Sequence, residues 1–180
     1  IVAAVTSPAA AAKPDAEWLD ALQAAIVNTL RFEDSRRAQS DRLTILMALT
    51  AVLRAKPDGV GKLVAQFLDY SDSRIVADAL NTLARLRLKE GNEKARALLV
   101  KHNDPIVRAN AARVLGATED KQAFDALLNR VLHDADSRVA ISAIRALASL
   151  KDARAGQPLI ERGEYLLNIS KVSQRFSIEP

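Results

Sequence analysis

An aspartate recurs every 32 residues through the middle of the chain, at Asp72, Asp104 and Asp136. An alanine lies seven residues after each aspartate, and a leucine lies eleven residues after it. Three matching positions in three copies indicate an internal repeat, in which each unit packs mainly against its neighbours. This spacing constrains the shape of the chain far more than it constrains its activity.

Each of these aspartates is predicted to begin an amphipathic helix. Positions three, seven, eight and eleven residues after it are apolar and fall on one helical face. In two copies this predicted core face consists of Ile75, Ala79, Leu80 and Leu83, and of Val139, Ala143, Ile144 and Leu147. The aspartate suits the N-cap, because its carboxylate accepts from free N–H groups. Pro105 follows Asp104 at the first helical position, where a missing N–H costs nothing.

A similar helical segment precedes each aspartate, so every unit is predicted to be a helix, a turn and a second helix. We predict one repeat domain over residues 15–180, after a linker or remnant at residues 1–14. Its units are placed at about residues 15–56, 57–90, 91–118, 119–151 and 152–180. No clear polar cap closes the last unit, so we expect the chain to be part of a longer protein.

Two details of the predicted units can be checked separately. The first unit contains the segment FEDSRRAQSD, residues 32–41, which reads as an insertion between its two helices. Trp18, in the first helix, is expected in the core. In the last unit Asn168 stands where the other units have their aspartate, so a second helix is expected to begin there.

The composition excludes several kinds of site. Cysteine is absent, which excludes a disulfide framework, thiolate metal ligands and a thiol nucleophile. Glycine-rich phosphate loops and the common hydrolase motifs are also absent, so we predict no catalytic residue, metal or cofactor. His102 and His133 lie at predicted helix ends, which favours interaction with the helix dipole over metal binding. No membrane span is expected; the compartment stays open, with a cytoplasmic location slightly favoured over a periplasmic or secreted one.

The pattern D-P-x-V-R-x-x-A-x-x-x-L-G, from Asp104 to Gly116, resembles the second helix of a HEAT repeat. More narrowly, it resembles the bacterial HEAT-like family named after phycobilisome lyases. The resemblance covers roughly residues 15 to 167 and implies an all-α, right-handed superhelix of about five antiparallel helix pairs. It also implies that the second helices line the concave side. HEAT families include scaffolds, transport factors, lyase subunits and alkylpurine DNA glycosylases, so the fold cannot name the function.

The resemblance further implies a ladder of hydrogen bonds between neighbouring units. In that family the ladder joins the turn aspartate to an arginine just inside the second helix. Asp104 and Arg108 match the required spacing. Arg74 and Arg138 depart from it, because each lies only two residues after its aspartate.

The exposed face of the second helices is the candidate binding surface. Positions two, six, nine and thirteen residues after each aspartate lie opposite the core face, and they hold five arginines and one aspartate. This excess agrees with a net charge of +4, carried by 17 arginines and 9 lysines. The predicted partner-binding residues are Arg74, Asp78, Asn81, Arg85, Asn110, Arg113, Arg138, Ser142 and Arg145. We expect Asn81, Arg113 and Arg145 to form one row, and Asp78, Asn110 and Ser142 another.

Three functional hypotheses follow. The first is a non-catalytic scaffold that binds a protein or peptide partner, or a neighbouring domain, on the concave, arginine-rich face. The second is nucleic-acid binding, with or without glycosylase chemistry; the scarcity of aromatic residues, 4%, counts against base stacking. The third is a lyase or chaperone-like subunit, which only the family name suggests. The sequence leaves the oligomeric state and the identity of the partner open.

Overall fold

The computed structural model describes residues 16–176, and the side chains of residues 16–170. Every regular element within these residues is helical, as the repeat predicts. The chain divides into two compact units, Ile1–Val60 and Gly61–Pro180. The linker predicted for residues 1–14 lies outside the described residues, and the predicted repeat boundaries stay predictions.

The first compact unit contains an antiparallel helix pair, α1 (Ala16–Arg36) and α2 (Arg42–Ala55). The Gln23 side-chain amide donates to the carbonyl of Ala55 at 2.7 Å, which joins the early part of α1 to the end of α2. The side chains buried between the two helices include Leu30, Ile45, Leu49 and Val52. Burial of these aliphatic groups is the main favourable contribution to packing of this pair.

The second compact unit stacks three helix pairs and a ninth helix. The pairs are α3 (Gly61–Gln66) with α4 (Ser73–Leu86), α5 (Asn92–Lys101) with α6 (Pro105–Ala117), and α7 (Phe124–His133) with α8 (Ser137–Leu150). The last helix is α9 (Gly156–Phe176). The second helices pack side by side, α4 on α6 and α6 on α8. In the three pairs each helix packs on its pair, and the second helices also pack on one another, which confirms the all-α stack.

The predicted aspartate caps are confirmed. The Asp72, Asp104 and Asp136 carboxylates accept from the backbone N–H groups of Arg74, Ile106 and Arg138 at 2.8, 2.8 and 2.9 Å. Pro105 occupies the first turn of α6, as predicted. The first compact unit uses the same device, because Asp41 accepts from the N–H of Thr44 at the start of α2. These bonds satisfy donors that a helix start otherwise leaves without a partner.

The second helices also end alike. Arg87, Glu119 and Lys151 follow α4, α6 and α8 and adopt left-handed backbone angles, with φ of 55°, 54° and 53°. The N–H of Glu119 donates to the Gly116 carbonyl at 3.2 Å, and the next N–H reaches the Leu115 carbonyl at 2.9 Å. This bond pair closes the helix end and turns the chain toward the next unit. Glycine usually occupies such positions, yet none of these three residues is glycine.

The predicted insertion in the first repeat is largely helical. Residues 32–36 of the segment extend α1, and residues 37–39 form a short 3-10 turn. The extension is fixed from inside, because the buried Glu33 carboxylate accepts from the backbone N–H of Asp41 at 2.6 Å. Since Asp41 also caps α2, Glu33 holds the turn in place from the preceding helix.

Trp18 does not lie in the core, contrary to the prediction. Its side chain is 55% exposed among the described residues. The reason is the length of α1: Gln23 already lies at the last residue of α2. The two turns before Gln23 therefore extend beyond the end of α2.

Ile144 and the last unit also differ from the prediction. The equivalents of Ile144 in the earlier units, Leu80 and Ala112, are buried, whereas Ile144 is 40% exposed. In those units the following second helix packs on this face. Here α9 runs as one helix through Asn168, so the expected break is absent and no further second helix packs on α8 among residues 16–176.

Candidate functional site

A shallow groove crosses the exposed face of α4, α6 and α8 in the second compact unit. Its volume is about 270 Å³. We call it the arginine groove, and it is lined by Ala84, Arg85, Arg113, Gly116, Ala117, Ser142, Arg145, Ala146 and Ser149. All three helices are fixed by the buried core beneath them, so the groove is built on rigid elements.

The floor of the arginine groove consists of small residues because α6 and α8 approach each other closely there. A Cβ atom added to Gly116 would lie 2.6 Å from the Cα and 2.8 Å from the Cβ of Ala146. Only a glycine fits at that contact. The missing side chains leave the floor open between the longer residues that surround it.

Three arginines form the rim of the groove. Arg85, Arg113 and Arg145 are all exposed, and no carboxylate of the described residues lies within ion-pair distance of them. None of the nine lining residues is acidic. Like charges gathered over a surface of low polarity create a positive potential that attracts anionic groups. The groove can therefore bind an anion without first breaking an internal ion pair.

Arg113 is held in place by a chain of hydrogen bonds. Its guanidinium Nη1 donates to the Asn110 Oδ1 at 3.1 Å, and the Asn110 Nδ2 donates to the carbonyl of Ala77 in α4 at 3.2 Å. Asn110 was predicted to contact a partner. In the structure its amide links α6 to α4 and orients Arg113.

The remaining predicted residues lie outside the groove. Arg74 donates to Asp78 at 3.1 Å within α4. Arg138 donates to Asp136 through two bonds of 3.0 and 2.7 Å, and this arginine lowers the pKa of Asp136 to about 2. Asn81 is half-buried and does not line the groove. Of the nine predicted residues, the structure brings together Arg85, Arg113, Ser142 and Arg145.

The predicted set of binding residues omits five lining residues, although Ala117 and Ser149 lie on the predicted exposed face, thirteen residues after Asp104 and Asp136. Ala84, Gly116 and Ala146 form the floor, and Ser149 contributes the wall. The Ser149 hydroxyl donates to the Arg145 carbonyl at 3.1 Å. One signal was available: a glycine inside a helix weakens it, so Gly116 indicates a close approach of two backbones.

The expected ladder of hydrogen bonds between units has one arginine–aspartate rung, in which Arg108 donates to Asp134 and not to Asp104. Arg108 donates to Asp134 of the next unit through Nε and Nη2, both at 2.9 Å, and to the carbonyls of His102 and Asn103. The Asp134 side chain is 1% exposed and also accepts from the backbone N–H of Asp136 at 3.0 Å. Burial alone would raise the pKa of Asp134, but the bonds from Arg108, the backbone N–H of Asp136 and Arg130 together outweigh it and hold that pKa below its usual value. Arg74 and Arg138 form no such rung, as their shifted spacing suggested.

Two absences concern only the part of the chain that the structure describes. No group of three or more histidine, aspartate or glutamate side chains there is arranged to hold a metal ion. No helix there is long and apolar enough to cross a membrane.

Comparisons with known proteins agree with the fold. Residues 92–164, from α5 into α9, match the family profile of HEAT repeats. Comparisons with curated proteins and with solved structures found no match. HEAT repeats generally mediate protein–protein interaction and typically serve as scaffolds without catalytic activity. Residues 92–164 thus match HEAT repeats, and the stacked helix pairs and aspartate caps of the described residues agree with that match.

Proposed function

We propose that this chain is a non-catalytic interaction module that binds an acidic segment of a protein partner, or of a neighbouring domain, in the arginine groove. The observation that carries the proposal is the rim, where Arg85, Arg113 and Arg145 lie over small residues without an acidic neighbour in the lining. Guanidinium groups bind carboxylates through paired, charge-assisted hydrogen bonds. The general role of HEAT repeats in protein interaction supports the same conclusion.

The length of the groove also favours a peptide. Its lining runs across three helices, and neighbouring helices pack roughly 8–10 Å apart. An extended peptide covers about 3.3 Å per residue. A segment of about six residues would therefore cross all three helices and meet the three arginines in turn.

Nucleic-acid binding is the second candidate, and it has less support. The five arginines of the exposed face favour it, but two of them already pair with Asp78 and Asp136. Those carboxylates would lie near a phosphate backbone and repel it. The lining also contains no aromatic side chain on which a base could stack. Glycosylase chemistry has least support, because it needs a base-holding pocket.

The test is a fluorescence-anisotropy titration of the full chain. One probe is a labelled peptide rich in glutamate, and the other is labelled duplex DNA, each at about 50 and 200 mM salt. We expect the peptide to bind and the Arg113→Glu, Arg145→Glu double variant to lose that binding.

The matched control is the Arg74→Glu, Arg138→Glu double variant. It changes the net charge equally, on exposed arginines of α4 and α8 that lie outside the groove. We expect it to bind the peptide nearly as well as the parent. Peptide binding that both double variants lose equally would reflect net charge and refute the groove. Absence of peptide binding at low salt, with DNA binding that falls steeply with salt, would favour the second candidate.

A further inference from the structure

We infer that the arginine groove takes a phosphorylated serine or threonine side chain of its partner. This inference rests on the proposed function and names the group that anchors the partner. It is based on three observations: the charge of the rim, the size of the groove and the fixed position of Arg113.

The charge of the rim exceeds what one carboxylate can neutralise. Arg85, Arg113 and Arg145 carry three formal positive charges, and the lining contributes no negative one. A glutamate side chain supplies a single charge and two acceptor oxygens. A phosphorylated side chain carries roughly −1.5 to −2 charges and offers three strong acceptor oxygens. Guanidinium groups from two neighbouring helices can therefore bond with one phosphate at once.

The size of the groove fits one such group. Its volume of about 270 Å³ lies just below the range of about 300–1,000 Å³ that is usual for small-molecule and cofactor pockets. The floor formed by Ala84, Gly116 and Ala146 projects nothing larger than a methyl group. A tetrahedral headgroup can thus lie between the arginines, whereas the whole of a nucleotide cofactor would extend beyond the walls.

One arginine of the groove is held in place before an anion binds, and one hydroxyl can assist it. Asn110 anchors Arg113 to the backbone of α4, and this bond uses only one of the five guanidinium N–H donors. Ser142 is a half-buried residue of the groove lining, and its hydroxyl can add a neutral donor. Fixing an arginine before binding lowers the entropy lost on binding, and it does so most for a ligand with several acceptors.

The experiment compares three labelled peptides of one sequence, which is rich in glutamate around a central position. That position holds serine, glutamate or phosphoserine, and each peptide is titrated into the full chain by fluorescence anisotropy. We expect the phosphoserine peptide to bind at least about tenfold more tightly than the glutamate peptide, as one further charge-assisted bond would produce. The Asn110→Ala variant should lose most of that preference, because Arg113 is then no longer held by the bond to Asn110.

Each outcome separates this inference from the proposed function. Equal affinity for the glutamate and phosphoserine peptides would overturn the inference and leave the proposed function in place. Failure of all three peptides to bind would overturn both. Tight phosphoserine binding that persists in the Arg113→Glu, Arg145→Glu variant would place the phosphate elsewhere and overturn the inference. Competition by free inorganic phosphate at equal concentration to the peptide would show a bare anion site, which also overturns it.

Discussion

Replacing Gly116 by alanine has two opposing effects on stability: a gain in helix propensity and a steric clash with Ala146. Replacing glycine by alanine inside a helix normally stabilises a protein by roughly 0.5–1 kcal/mol, because alanine loses less backbone freedom on folding. At position 116 the new Cβ would lie 2.6 Å from the Cα of Ala146. A Cα atom cannot rotate away, so α6 and α8 must move apart.

Overpacking of a buried contact costs typically 1–3 kcal/mol, and a clash with backbone belongs at the upper end of this range. Subtracting the gain in helix propensity leaves a net loss of about 2 kcal/mol for Gly116→Ala. In a chain of this length such a loss lowers the melting temperature by roughly 4–8 °C. The effect of the steric clash should therefore exceed the effect of propensity.

The difference in the free energy of unfolding between variant and parent is measured by urea unfolding, with circular dichroism as the signal. The matched control is Gly163→Ala in α9, where an added Cβ meets nothing within 4 Å. We expect the control to be neutral or slightly stabilised, and Gly116→Ala to unfold at lower urea than the parent. If Gly116→Ala were as stable as the parent, the close approach of α6 and α8 described above would be wrong.

Three further predictions concern the buried residues. Asp134→Ala should lower the free energy of unfolding, measured in urea, by roughly 3–5 kcal/mol, because it leaves Arg108 largely buried without its carboxylate. A loss below about 1 kcal/mol would mean that the pair does not stabilise the fold. Since the pKa of Asp134 is lowered in the folded state, its contribution is complete above the unfolded value near 3.9 and disappears as the pH falls through the lower folded value. Acid unfolding below about pH 4 should accordingly depend less on pH in Asp134→Asn than in the parent, and identical slopes would contradict this. Ala111→Leu should cost roughly 1–3 kcal/mol, because Ala111 is fully buried in α6, and a variant that melts like the parent would remove Ala111 from the helix contact.

Helices and their starts could be predicted from the sequence because the signals are local. The aspartates at a fixed spacing and the apolar residues at helical positions determine where each second helix begins and which face it buries. Ile144 shows the limit of this reasoning, since its exposure depends on the absence of a neighbouring helix and not on its own segment.

The residues that line the arginine groove could not be predicted from a single repeat, because they depend on how the neighbouring helices stack. The predicted rows assumed that equal positions of neighbouring units lie side by side. Arg113 and Arg145 of one predicted row do share the groove, but Arg85, thirteen residues after its aspartate, joins them in place of Asn81, nine residues after the same aspartate. This offset of one helical turn arises from the way the helices stack. The local ion pairs of Arg74 and Arg138 likewise depend on side-chain conformations that the repeat pattern does not specify.

A residue with left-handed backbone angles ends each of the second helices α4, α6 and α8, just as an aspartate begins each of them. Because Arg87, Glu119 and Lys151 follow one another at intervals of 32 residues, cutting after two successive ones removes or duplicates one whole unit without changing the local geometry at the junction. The length of the array can therefore change in steps of one repeat. Each added second helix would lengthen the arginine groove by one helix width, so a single duplication during evolution could create a surface for a longer partner.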